Sequence, residues 1–182
     1  DAPVAVVAGE FDGNLGLDLA TANFGSGTIT IYRNNGNGGF VLQQTLTAAE
    51  GTFGIAAKDI DDDGIDDIVA TNALAGNVIV YFGTARDANL PKDQRRANGS
   101  FTNRLLLSTG IGTNSVAIVD IDGDGDQDLA VTNSIDQNIS ILRNRGTRLF
   151  AAADSGGAAK FTGGAAFSVL AAQLDSDRAG TS

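Results

Sequence analysis

Short apolar runs alternate with polar, glycine-rich turns along the whole chain. Within the runs, apolar and polar residues often alternate one by one, as in Thr28-Ile-Thr-Ile-Tyr32. This two-residue period is typical of a half-buried strand, and no window carries the 3.6-residue period of an amphipathic helix. The pattern predicts an all-β fold. First strands are expected at 4–9, 53–58, 115–119 and 167–172, second strands at 17–23, 66–72 and 127–133, third strands at 28–33, 77–82 and 138–143, and weaker fourth strands at 40–46, 101–107 and 149–153.

The predicted strands repeat in a fixed register around four acidic stretches, which begin at Glu10, Asp59, Asp120 and Gln173. An aliphatic residue lies four positions before each start, and an asparagine lies 13 positions after the first three starts. These residues are Val6, Ile55, Val116, Val169, Asn23, Asn72 and Asn133. Four short antiparallel strands in each unit of about 50 residues are typical of a propeller blade.

The repeat predicts a single array of propeller-type blades over residues 1–182. Its units are expected near 4–52, 53–113 and 114–166, with a partial unit at 167–182. Three blades and one extra strand do not close a ring, because propellers have about four to eight blades. Further blades of a longer chain, a ring shared between copies, and head-to-tail addition of copies all remain open. The chain starts at Asp1 and has no Met, so a processed chain or a fragment is expected.

The acidic residues are concentrated between the predicted first and second strands, in loop 1 (10–18), loop 2 (59–67) and loop 3 (120–128). Counting positions from the first residue of each loop, oxygen-bearing side chains stand at positions 1, 3, 5 and 9. Position 7 can add a backbone carbonyl. An all-oxygen set of this size suits Ca²⁺, which takes about six to eight oxygen ligands. A plain Asp/Gly turn is the alternative, but crowded carboxylates repel one another strongly without a cation.

The predicted calcium ligands follow from these positions. They are Glu10, Asp12, Asn14, Gly16 and Asp18 in loop 1, Asp59, Asp61, Asp63, Ile65 and Asp67 in loop 2, and Asp120, Asp122, Asp124, Asp126 and Asp128 in loop 3. Loops 2 and 3 carry Gly at position 6, which permits a sharp left-handed turn. Weaker binding is expected in loop 1, because Leu15 replaces that Gly and Asn14 lowers the ligand charge. The fourth stretch keeps only Asp175 and Asp177 and is expected to be empty.

Composition excludes several classes of function. The chain has no Cys and no His, which removes thiolate chemistry, histidine-based catalytic triads and the usual zinc and copper sites. A net charge of −10 and a pI near 4.2 argue against a nucleic-acid partner. No run of about 18 apolar residues is present, so no membrane span is expected. The acids outside the loops form no recognisable catalytic pair, so no enzyme activity is expected.

The loops and the strands around them resemble FG-GAP/VCBS repeats, the blades of integrin-α-type β-propellers. The resemblance rests on the Asp-x-Asp-x-Asp-Gly-x-x-Asp pattern, on Leu129-Ala-Val-Thr-Asn133 and on Phe53-Gly54 before the second unit. It implies calcium between the first and second strands of a blade, and an extracellular or cell-surface setting. Members of this family act as adhesion modules, lectins, and accessory or catalytic domains of polysaccharide-acting proteins.

The sequence therefore predicts a secreted calcium-binding repeat module with a structural, adhesive, or glycan- or protein-binding role. One alternative is a subunit of an extracellular filament built by blade or strand exchange, and another is a part, catalytic or not, of a polysaccharide-degrading enzyme. Self-association or further blades of a longer chain are the expected partners, with a glycan or protein ligand in addition. The basic insertion over 83–100 is a candidate binding loop, although a solvated loop explains it as well. Asn98 and Asn138 match the N-glycosylation pattern.

Overall fold

The computed structural model describes residues 1–14, 16–85, 87, 89–91, 96–146, 148–151 and 167–170. Among these residues, twelve strands form three antiparallel sheets of four strands each. Blade 1 contains β1 (Pro3–Gly9), β2 (Asp18–Asn23), β3 (Thr28–Asn34) and β4 (Phe40–Thr47). Blade 2 contains β5 (Thr52–Lys58), β6 (Asp67–Asn72), β7 (Asn77–Phe82) and β8 (Asn103–Ser108). Blade 3 contains β9 (Thr113–Val119), β10 (Asp128–Asn133), β11 (Asn138–Asn144) and β12 (Phe150–Ala151).

Each sheet is a simple meander in which every strand pairs with the next one along the chain. The prediction of an all-β chain of propeller-type blades is confirmed, including the weaker fourth strands. None of the described residues belongs to a helix long and apolar enough to cross a membrane. The expected empty loop after residue 172 lies outside the described residues.

The prediction of an extra first strand at 167–172 is wrong over its described part, because residues 167–170 do not form a strand. The Val169 N–H instead donates to Ser115 Oγ on β9 at 3.3 Å. In the three blades, the first strand pairs with the second strand of its own hairpin. The segment therefore lies beside blade 3 without the ladder that defines a strand.

The blades stack face to face, and both interfaces use the same repeat positions. Positions are counted from the loop start of each blade. Positions 11, 20 and 22 of one blade pack against positions 10, 12 and 23 of the next blade. In the first interface, Ala20, Ile29 and Ile31 pack in one cluster with Ile68, Ala70 and Tyr81. In the second, Val69, Val78 and Val80 pack with Leu129, Val131 and Leu142. Successive strand residues point to opposite faces, so the neighbouring positions 10 and 11 serve different interfaces.

The repeated asparagine at position 14 holds the turn between the second and third strands. Asn133 Nδ2 donates to Asn138 Oδ1 at 2.7 Å and to Ser140 Oγ at 2.8 Å. Asn23 makes the equivalent pair of bonds in blade 1. In blade 2, Asn72 instead accepts two backbone N–H groups of the turn through Oδ1. These asparagines are therefore structural, and each fixes the hairpin that follows an acidic loop.

Candidate metal sites

Among the described residues, three acidic groups form at one end of the blades, where the first strand of each blade turns into the second. Carboxylates at loop positions 1, 3 and 9 come together in every blade, with one oxygen of each residue within 4.8 Å of the others. The groups are Glu10, Asp12 and Asp18, then Asp59, Asp61 and Asp67, and then Asp120, Asp122 and Asp128. Each group could hold a metal ion, because it supplies three oxygen donors at one point.

The backbone of each loop wraps around the carboxylate at position 1 and donates hydrogen bonds to it. Asp59 accepts hydrogen bonds from the N–H groups of Asp63 at 3.1 Å and Gly64 at 2.8 Å. Asp120 accepts bonds from Gly123 at 2.7 Å and Gly125 at 3.0 Å. Glu10 accepts the N–H of the loop 1 residue at position 4, at 2.7 Å. The backbone of each loop is thus bent towards its first carboxylate.

The aspartate at position 9 is fully buried in all three loops and ties the loop to the third strand. Asp128 accepts the N–H of Ile121 through Oδ2 at 2.9 Å and the N–H of Asn144 through Oδ1 at 2.8 Å. Asp18 and Asp67 accept the equivalent pairs of N–H groups, from positions 2 and 25. One carboxylate therefore fixes both the start of the loop and the end of the strand that passes beside it.

Burial makes the ionised form of several loop carboxylates unfavourable. It raises the pKa of Asp67 to about 8, although the N–H groups of Ile60 and Gly83 oppose the shift and the charges of Asp61 and Asp59 add to it. Burial also raises the pKa of Asp63, with the charge of Asp61 as the next cause. In loop 1, burial is the main cause that raises the pKa values of Glu10 and Asp18. A cation among these groups would remove the penalty by favouring the charged forms.

Loop 2 contains a buried carboxylate oxygen that a bound cation could satisfy. The Asp61 side chain is 5% exposed, and its Oδ2 accepts a hydrogen bond from Arg148 Nε. Its Oδ1 is buried and has no hydrogen-bond partner among the described residues. Buried carboxylate oxygens without a partner are costly, and a metal ion is one of the groups that can compensate them. The loop 2 residues therefore fit a bound cation.

Comparison with protein families matches these units directly. Residues 5–70 match the model described as an FG-GAP-like repeat, and residues 112–138 match the model described as an FG-GAP repeat. Together the two matches span about half of the chain. The chain contains FG-GAP repeats. Its blades and their acidic loops are thus repeats of one kind, in a β-propeller-like module.

A solved structure shows the same fold in a larger protein. It is the crystal structure of a candidate 6-phosphogluconolactonase from Bacteroides fragilis NCTC 9343, which aligns with a TM-score of 0.64 and 20% sequence identity. The alignment covers 91% of this FG-GAP chain and 40% of that protein. The chain thus spans well under half of the structure that it resembles. At this identity the likeness concerns the fold alone.

The FG-GAP loops use positions 5 and 7 differently from the three grouped carboxylates. Asp63 Oδ1 accepts the N–H of Ile65 at 2.9 Å, and Asp124 Oδ1 accepts the N–H of Asp126 at 2.9 Å. Neither Asp63 nor Asp124 belongs to the groups formed by positions 1, 3 and 9. Their role as ligands, with that of the position 7 carbonyls in all three loops, stays a prediction. In loop 1, Asn14 Nδ2 donates to Asp12 Oδ2 at 2.7 Å.

The glycines of the FG-GAP loops adopt the turn that the sequence predicts. Gly64 and Gly125, both at position 6, have φ values of 89° and 97°. The equivalent Leu15 lies outside the described residues. Loop 1 also lies under the basic insertion, since a Cβ on Gly13 would meet the Ala97 carbonyl oxygen at 2.4 Å. This close cover distinguishes loop 1 from loop 3, where a Cβ on Gly123 would meet nothing within 4 Å.

Sequence reasoning missed the arginines that face position 3 of each FG-GAP loop. Arg143, at position 24, donates to Asp122 Oδ2 at 2.8 Å. Arg33, also at position 24, places Nε 3.8 Å from Asp12 Oδ2. Their shared repeat position was a signal that could have found them. Arg148, which bonds Asp61, comes instead from the turn between β11 and β12 and gave no such signal.

A cleft of about 360 Å³ lies between loops 1 and 2 and is lined in part by Glu10, Asp66 and Arg96. Asp66 Oδ2 accepts the backbone N–H of Glu10 at 2.9 Å, which links the loops of two blades. The ligand set predicted for loop 2 does not include Asp66. Its contact shows a structural role at the boundary between the two FG-GAP units.

Proposed function

We propose that this FG-GAP chain is a calcium-binding propeller module that works outside the cell and has no catalytic activity of its own. Its role is structural, adhesive, or the binding of a glycan or protein ligand, with calcium holding the loops between the first and second strands. The observation that carries this proposal is the buried Asp61 Oδ1, which lies beside Asp59 and Asp67 and has no hydrogen-bond partner in the described part of the chain. The same three positions converge in two further loops, which supports one kind of cation site in each blade.

The chemistry of the donors favours calcium over other metals. All grouped donors are carboxylate oxygens, which hard cations prefer, and the chain has no Cys or His to attract zinc or copper. Mg²⁺ demands a near-ideal octahedral site and gives up its waters reluctantly, whereas Ca²⁺ accepts irregular, flexible oxygen cages. Extracellular calcium sites typically have Kd values on the order of 10⁻⁴–10⁻³ M, which suits short surface loops.

A non-catalytic role fits the way in which the acids are used. The position 9 aspartates each accept two backbone N–H groups, and Asp66 accepts the N–H of Glu10. A general acid or base must be able to exchange its proton with a substrate in a cleft. These carboxylates are bonded to the fold instead, so they support a framework role.

Isothermal titration calorimetry tests the calcium proposal directly. The wild-type chain is titrated with CaCl₂ beside Asp61→Asn and a matched control, Asp62→Asn, at the exposed next position. Asp61→Asn is expected to remove one binding event, because it deletes a grouped ligand charge. Asp62→Asn is expected to keep all of them. No calcium heat in the wild-type chain at millimolar concentration would refute the proposal.

An assembly role has a separate observation in its favour. Val6 of blade 1 is 62% exposed, whereas Val116, at the same repeat position in blade 3, is 7% exposed against blade 2. At the other end, Ile121 is 40% exposed, whereas Ile60 at the equivalent position is 2% exposed. The outer faces of blades 1 and 3 thus expose apolar residues, whereas the equivalent residues of other blades are buried against a neighbouring blade. We infer that further blades cover them, from copies of this chain or from a longer chain.

Native mass measured by light scattering tests this assembly. Val6→Glu places a charge on the open face of blade 1, and Leu106→Glu is the matched control on β8, with the same 62% exposure. If copies supply the missing blades, the wild-type chain and Leu106→Glu form oligomers, and Val6→Glu does not. A discrete species indicates a ring and an open-ended series indicates a filament. A wild-type monomer at all concentrations would contradict assembly from copies.

A further inference from the structure

An arginine of the neighbouring blade pairs with the second acidic loop. In blades 1 and 3, the arginine that faces position 3 comes from position 24 of the same blade. In blade 2, position 24 is Phe82, and the arginine is supplied by blade 3. Arg148 lies 87 residues away from Asp61 in the sequence. Loop 2 thus takes a guanidinium contact from across the blade interface.

Arg148 makes two contacts with blade 2. Its guanidinium carbon lies 4.2 Å from the centre of the Phe82 ring, a cation–π geometry. Its Nε donates to Asp61 Oδ2, and the side chain is 37% exposed. Close by, Asn144 Nδ2 donates to the Ile60 carbonyl at 3.0 Å and is itself on blade 3. The turn between β11 and β12 is therefore seated directly on loop 2.

A guanidinium and a metal ion at this point would act on the same carboxylate. Both are cations, and both are attracted to Asp61, whose second oxygen is buried without a partner. Two cations on opposite oxygens of one carboxylate repel each other, and partial burial weakens solvent screening. Without a metal, the guanidinium offsets part of the repulsion among the grouped acids. With a metal, that contribution becomes a cost.

We propose that Arg148 is the built-in counter-ion of loop 2 and competes with the bound cation for Asp61. Cation binding then weakens the Arg148–Asp61 pair, and the seating of blade 3 on blade 2 weakens the cation in return, because such coupling is reciprocal. The affinity of loop 2 for the cation thereby depends on the state of the interface. This inference rests on the proposed calcium binding.

The test measures loop 2 alone. Asp12→Asn and Asp122→Asn weaken the other two sites, and calcium binding is then measured by calorimetry in this background with Arg148, Arg148→Gln or Arg148→Lys. Arg148→Gln keeps a donor but removes the charge, so the Kd for calcium is expected to fall by about tenfold. Arg148→Lys keeps the charge and is expected to leave the Kd near that of the parent. Arg145→Gln, the same change on an exposed arginine of the same turn, controls for net charge.

A second readout needs no calcium. In chelator, Arg148→Gln is expected to melt below both the parent and Arg145→Gln, because loop 2 has lost its counter-ion. Calcium binding by the parent with no tightening in Arg148→Gln would overturn this inference and leave the proposed function standing. Tightening by the same factor in Arg145→Gln would also overturn it, because net charge would then explain the effect. An absence of calcium binding in the wild-type chain would instead refute the proposed function.

Discussion

Asp66 Oδ2 accepts the backbone N–H of Glu10 at 2.9 Å, and this bond joins the second acidic loop to the first across the boundary between two blades. Loop 2 is linked to β11 of blade 3 by a different bond, from Asn144 Nδ2 to the Ile60 carbonyl at 3.0 Å. The acidic loops are therefore part of the blade interfaces as well as candidate cation sites. Events in a loop are expected to change the stability of the interface that it contacts.

Removal of the Asp66 carboxylate is expected to destabilise the fold even in chelator. Asp66→Ala leaves the partly buried Glu10 N–H without its acceptor, which costs about 1–3 kcal/mol. The matched control is Gln127→Ala at the same loop position of blade 3, where the Gln127 Oε1 is buried without a partner. Urea unfolding of both variants in chelator measures the difference. Equal midpoints would contradict a linking role for Asp66.

The position 9 aspartate is expected to matter more for folding than the aspartate at position 5. Asp128→Ala removes the acceptor of two backbone N–H groups, with a cost on the order of 3 kcal/mol or more. Asp124→Ala removes the acceptor of one exposed N–H and is expected to cost less than about 1 kcal/mol. Chemical denaturation in chelator separates this structural effect from metal binding. A smaller loss in Asp128→Ala than in Asp124→Ala would refute the assignment.

Much of this architecture could be predicted from sequence, because the repeat fixes both the strands and the loop register. The buried position 9 aspartates occupy the last acidic position of the motif in all three loops. Arg148 could not be predicted, since its contact with Asp61 joins residues far apart in the chain and has no counterpart in the other blades. The strand predicted at 167–172 does not form over residues 167–170, for a related reason. Alternation predicts a strand, but a strand also needs a partner for its backbone groups.

The apo protein is expected to lose stability as the pH rises. Burial raises the folded-state pKa of Asp67 to about 8 from a usual value of 3.8. The folded state therefore binds this proton more tightly than the unfolded state. The resulting stabilisation is complete below the unfolded pKa and is lost as the pH rises through the folded pKa. Thermal unfolding in chelator should give a higher melting temperature at pH 5 than at pH 8.

The control for this pH effect is Asp67→Asn, which cannot ionise. Its absolute stability will differ, because an amide cannot accept both the Ile60 and Gly83 N–H groups as the carboxylate does. The comparison therefore uses the change between the two pH values rather than the stability at either one. A smaller change in Asp67→Asn supports the assignment. An unchanged slope would mean that other groups cause the pH dependence.

The central claim is that calcium holds the acidic loops, and thermal unfolding in calcium and in chelator tests it most directly. Calcium at about 100 times its Kd adds roughly 2.7 kcal/mol for one site, so a clear rise in melting temperature is predicted. The rise should shrink in Asp61→Asn and disappear when Asp12, Asp61 and Asp122 are all replaced by Asn. The same melting temperature for the wild-type chain in excess calcium and in excess chelator would contradict the account.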